Sequence, residues 1–143
     1  MRMTLFRIAT GVAAVYHLVL GGALLLFPEE ALGGVAGLFL GMELVIDAQM
    51  AMIGKFAASY LLAFGVMMGL LCLRPVRLRA LVMPALLLFG VRLANKLVFM
   101  AEIEEIFGVA RGRSLFALVS IALLFGVIAW TRPMEGDAQL NRP

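Results

Sequence analysis

The residues with chemistry to offer are one histidine and a few charges set inside apolar sequence. His17 is the only histidine in the chain. An imidazole can ligate a metal, move a proton, or hydrogen-bond across a packed interface. Helical spacing puts Thr10, Ala13, Ala14 and Gly21 on the same stripe as His17. Small residues let helices approach closely in lipid, so this stripe should face another helix. Two readings follow. His17 is either a neutral imidazole bonded across that contact, or a cofactor-binding residue for a tetrapyrrole or a proton-handling site. A bis-histidine haem within one chain is excluded, and a haem would need a methionine or another subunit.

Arg92, Asn95 and Lys96 form the second constellation, on one broad face of a later helix. Charge inside a membrane span is costly unless it snorkels or is paired. Lys96 is near enough to the helix end to snorkel. Arg92 lies deeper, roughly 13 Å from Ala101 at helical rise. It is expected to turn inward and pair with Glu43 or Asp47. The alternative is a ligand cluster holding an anion, a lipid headgroup or a quinone, with Lys55 and Ser59 joining it. One cysteine, Cys72, rules out an internal disulfide. The sequence contains no Walker, Rossmann, zinc or nucleophile-elbow pattern, so no enzyme and no metal site is expected.

The elements that must position these residues follow from composition. The 143 residues are 64% hydrophobic and 15% charged, against roughly 45–50% and about 25% in soluble domains. A chain this short could not hide so much apolar surface from water, and its apolar blocks lack the polar stripe of a soluble helix. Lipid is the solvent these segments call for, so the lipid bilayer is the first expected partner. A bilayer core needs about 20 apolar residues of helix. Four spans meet that need, at about residues 8–27, 51–73, 80–101 and 114–130. The third is interrupted by Pro84, and a polar tail covers 134–143. The first span is too long for a signal peptide's apolar region and lacks a clear cleavage site, so it reads as a retained helix.

The fold class expected is an all-α integral membrane four-helix bundle in a single domain. Orientation comes from the arginines. Arg2, Arg7, Arg74, Arg77, Arg79, Arg132 and Arg142 fall on one side, which the positive-inside rule places in the cytoplasm, giving N-in and C-in termini. Arg111 and Arg113 break the pattern. The opposite side carries Glu29, Glu30, Glu43, Asp47, Glu102, Glu104 and Glu105. With a net charge of +3 and a pI near 9.6, nucleic acid is a conceivable partner. The arginines argue against it, because they flank apolar blocks instead of forming a patch. Residues 31–50 are apolar but broken by Gly33, Gly34, Gly37 and Gly41. They are expected to form a short helix or re-entrant segment on the outer face. Gly65-x-x-x-Gly69 should serve contact between helices of the same chain.

The order of features resembles the small four-helix bacterial membrane proteins of the DoxX-like and DUF4345-like kind. It rests on an N-terminal span ending in Phe27-Pro28, a glycine-rich outer segment, a span closing at Arg74-Pro75, and Arg92 on the third span. The resemblance implies the four-helix fold and a bacterial inner (plasma) membrane, and little about function. Ala13-x-x-x-His17 also resembles the Ala-x-x-x-His of bacterial antenna helices, which implies a tetrapyrrole, although those polypeptides span once. The expected function is a non-catalytic accessory subunit of a larger membrane complex, with protein partners or a homo-oligomer. The alternative is a lipid-, quinone- or pigment-binding protein built around His17 or Arg92 and Lys96.

Overall fold

The structure is a computed structural model that describes residues 1–40 and 45–134. Glu43, Gly41 and the tail from 135 to 143, Arg142 included, lie outside the described residues. All regular structure among the described residues is helical. Helix α1 spans Arg2–Leu26. It stops where Pro28 forces the preceding residue out of helical geometry, and Phe27 takes φ −135°, ψ 63°. The same proline opens α2 (Pro28–Val35), with Glu29 and Glu30 in its first turn, where carboxylates complement the helix dipole. A π-helical turn, Ala36–Leu40, follows.

Helix α3 (Ala48–Leu73) begins where the Asp47 carboxylate accepts the Met50 N–H at 2.8 Å. This N-cap satisfies one of the orphan donors of the first turn. After the Arg74-Pro75 turn, a 3-10 turn (Arg79–Leu81) leads into α4 (Val82–Val98). Pro84 does not interrupt this helix. It lies in the first turn, where a missing N–H has no intrahelical partner to lose. α4 ends at Val98, short of the expected Ala101, because Phe99 leaves helical geometry. The chain re-enters a separate helix, α5 (Met100–Phe107), closed by Gly108 at φ 62°, a left-handed conformation that favours glycine. Helix α6 covers Arg111–Thr131.

Four of these segments are long and apolar enough to cross a membrane: Arg2–Leu26, Ala48–Leu73, Arg79–Val98 and Arg111–Thr131. Around the bundle the neighbours run α1, α3, α4, α6 and back to α1, so α1 and α4 stand on a diagonal. The α1–α3 contact is the closest. A Cβ on Gly65 would lie 2.8 Å from Leu18 Cγ and 3.0 Å from the Leu18 nitrogen, and one on Gly21 2.9 Å from Leu62 Cγ. Gly69 faces Ala14 at an ordinary 3.8 Å. Gly37 of the other glycine run meets nothing within 4 Å.

The core is concentrated at one end. Phe6, Ala9, Ala13, Met68, Leu71, Val82, Ala85, Leu86, Phe89 and Ile128 form one buried cluster. It joins the starts of α1 and α4 to the ends of α3 and α6, so the four helices alternate in direction. Arg2 Nη2 donates to the Arg132 carbonyl at this same end. At the far end, α2 and the π turn lean between α3 and α6. Leu32 packs on the Gly54 face, and Arg113 Nη1 donates to the Gly37 carbonyl at 3.4 Å. The site lies between the dense core and this cover.

Candidate functional site: a histidine–arginine bridge across the bundle

His17 and Arg92 meet across the α1–α4 diagonal. His17 is 3% exposed, on the same face of α1 as the buried Thr10, Ala13, Ala14 and Gly21. Its Nδ1 lies 2.7 Å from the Ala13 carbonyl oxygen, and its Nε2 lies 3.0 Å from Arg92 Nη1. A carbonyl only accepts and a guanidinium only donates. One arrangement satisfies both contacts. Nδ1–H donates to Ala13, and the Nε2 lone pair accepts from Arg92. The neutral Nδ1–H tautomer is therefore the form this geometry requires.

Aromatic rings frame the imidazole. Phe64 of α3 stands edge-on at 4.7 Å between centroids, Tyr16 at 5.1 Å and Phe89 of α4 at 6.4 Å, while Phe64 and Phe89 contact each other at 5.3 Å. Such T-shaped contacts are a favoured arrangement of ring quadrupoles. They hold the histidine plane and cap the dense core.

The bridge divides the interior in two. On one side a cavity of about 160 Å³ is lined by His17, Tyr60, Leu61, Phe64, Leu88, Phe89 and Arg92, between α1, α3 and α4. On the other, a cavity of about 210 Å³ lies between α1, α4 and α6. Its polar wall comprises Tyr16, His17, Arg92, Arg113 and Ser120, and Phe116, Ala117, Ile121 and Leu124 make it apolar along α6. The Ser120 hydroxyl is already bonded to the Phe116 carbonyl at 2.8 Å.

The structure thus joins two constellations that the sequence presents separately. Asp47, expected as a partner of Arg92, is the N-cap of α3 instead. Glu43, the other candidate, lies outside the described residues. Among the described residues, the side-chain contact that Arg92 makes is with His17. Asn95 and Lys96 follow Arg92 on α4, and Lys55 and Ser59 are exposed on α3. None of these four lines either cavity beside His17. Arg113, read in the sequence only as an exception to the charge rule, does line one. An axial metal would need the Nε2 lone pair that faces Arg92 Nη1 in this structure. No group of three or more His, Cys, Asp or Glu side chains suited to a metal occurs among the described residues.

No family model, curated protein or solved structure matches this chain. The functional reading therefore rests on the site.

Proposed function

We propose that this is a multi-pass membrane protein, with cytoplasmic termini, that holds a lipid-soluble small molecule of the lipid or quinone class beside the His17–Arg92 bridge. Membrane insertion is supported by the four long apolar helices, whose spans have only 17–39% of their residues buried within the bundle. Large apolar side chains such as Val19, Ile53, Leu87 and Val98 are exposed, and a helix surface of that kind is suited to lipid. Orientation is supported by Arg2, Arg74, Arg77, Arg79 and Arg132, which flank the end of the bundle where α1 starts and α6 finishes. The inner-membrane assignment draws on the same arginine pattern and on the resemblance in feature order to DoxX-like proteins.

The observation that carries the binding reading is the polar bridge with a cavity on each side. An ionisable residue within a span points by default to a functional site facing the bundle interior, and ligand sites are mostly apolar with a few placed polar groups. The test is native mass spectrometry of protein extracted in mild detergent. A bound small molecule at fixed stoichiometry, lost in an Arg92→Met or Ala117→Trp variant that still folds, supports the reading. A preparation without any such species, and without uptake of added lipids or quinones, refutes it.

A second reading, an accessory subunit of a membrane complex or a homo-oligomer, draws on the outer face of α6. There a shallow groove is lined by Val119, Ala122, Leu123, Gly126, Val127 and Trp130, and the Ala122–Gly126 pair is the small-residue spacing that receives another helix. Stoichiometric co-purification of a second chain, or a dimer, would support it. Recovery as a monomer alone would count against it.

A further inference from the structure

Two arginines line the 210 Å³ cavity, and among the described residues no carboxylate does. Arg92 gives Nη1 to His17, which leaves the Nε–H and Nη2–H edge of its guanidinium. That edge is the parallel pair of donors that grips an oxyanion bidentately. Among the described residues, the hydrogen bond of Arg113 is one long contact to the Gly37 carbonyl, at 3.4 Å. Neither guanidinium meets a carboxylate there, although this half of the molecule carries Glu29, Glu30, Glu102, Glu104 and Glu105.

Arg113 lies on the side of the bundle that the proposed orientation leaves poor in arginine. It also sits in the first turn of α6, where the helix dipole repels cations and favours anions, and Ala110 gives that helix no side-chain cap. The dipole repulsion is offset once an anion lies between Arg92 and Arg113. The rest of the cavity wall, Phe116, Ala117, Ile121 and Leu124, climbs along α6 as an apolar track. A cavity near 150 Å³ holds about one benzene ring, so 210 Å³ accepts a headgroup and the first carbons of a chain, not a whole lipid.

We propose that the cavity between α1, α4 and α6 binds a single-chain anionic amphiphile, its acidic head between Arg92 and Arg113 and its chain along Phe116, Ala117, Ile121 and Leu124. This rests on the small-molecule reading above and gives it a charge and a shape.

The test uses the full chain in nanodiscs of zwitterionic phosphatidylcholine, with radiolabelled oleate as probe. Methyl oleate, of equal chain and no charge, and decyl-ubiquinone serve as competitors. Oleate should bind and resist methyl oleate at equal concentration. Arg113→Gln should weaken oleate roughly tenfold or more, the loss of one charge-assisted contact, so that methyl oleate then competes with it more nearly equally. Ala117→Trp, which fills the apolar track, should weaken oleate as well. Acetate, which has the head without the chain, should fail to compete. If decyl-ubiquinone or methyl oleate displaces oleate as well as oleate itself, and Arg113→Gln changes nothing, the anionic reading is overturned while the binding site stands. Competition by acetate at oleate's own concentration overturns the amphiphile. If no probe binds and Ala117→Trp has no effect, both this inference and the small-molecule reading fall.

Discussion

Removing one side of the His17–Arg92 bridge should cost more than removing both sides warrants. Arg92→Met leaves the Nε2 lone pair of a residue only 3% exposed without its donor. An unsatisfied buried acceptor costs about 1–3 kcal/mol, and a hydrogen bond to a charged group contributes about 1.5–3 kcal/mol net. Part of that is recovered, because methionine spares the desolvation of a cation. His17→Leu removes the acceptor and leaves the Arg92 Nη1 donor beside an alkyl group. In the double variant neither orphan remains. The two single losses should therefore exceed the double loss, with a coupling of about 1–2 kcal/mol. The lower part of the range applies because Arg92 is an exposed residue. The assay is reversible unfolding in mixed micelles, followed by circular dichroism, for the four members of the cycle. A coupling below about 0.5 kcal/mol, the level at which independent sites add, would refute the bridge as an energetic contact.

Two further outcomes follow from the packing and the charge pattern. Gly65→Leu should separate α1 from α3 and lose about 1–3 kcal/mol or more in the same assay, because its Cβ alone would meet the Leu18 backbone. Gly126→Leu, with nothing within 4 Å of its Cβ, should fall within about 0.5 kcal/mol of the parent. A reporter fused after Pro143 should read cytoplasmic and one inserted at Gly108 external, and opposite readings at both sites would reverse the orientation.

The four long helices were legible because the apolar blocks are unbroken and end at Pro28, Arg74-Pro75 and Arg132-Pro133, where proline stops a helix. Their inner detail was less so. Pro84 suggests a break by type, but its position in the first turn removes the cost. Met100–Phe107 is too short and too acidic to register as a span, so its helix was hidden in a loop. Asp47 carried an N-cap signal just before Ala48, although its charge invites pairing with Arg92 instead.

For the site, His17 and Arg92 were each visible and their meeting was not. At the span ends read from the sequence, His17 lies roughly 15 Å from Phe27 and Arg92 roughly 13 Å from Ala101, at helical rise. The two residues are thus at similar depth from the same end, which the sequence alone allows one to calculate. Which helices stand on a diagonal depends on packing between helices, set by the Gly21–Leu62 and Gly65–Leu18 contacts. Arg113 was invisible as a site residue because a basic residue at a span end has a ready topological meaning.

The most direct test of the central claim uses the single histidine. With ¹⁵N-histidine labelling, the ring spectrum of the whole protein reports His17 alone. The bridge predicts a protonated Nδ1 and an unprotonated, hydrogen-bonded Nε2, with the Nε2 resonance moving toward that of a free lone pair in Arg92→Met. An Nε2–H tautomer, or an Nε2 resonance indifferent to Arg92→Met, would contradict the bridge and the site built on it.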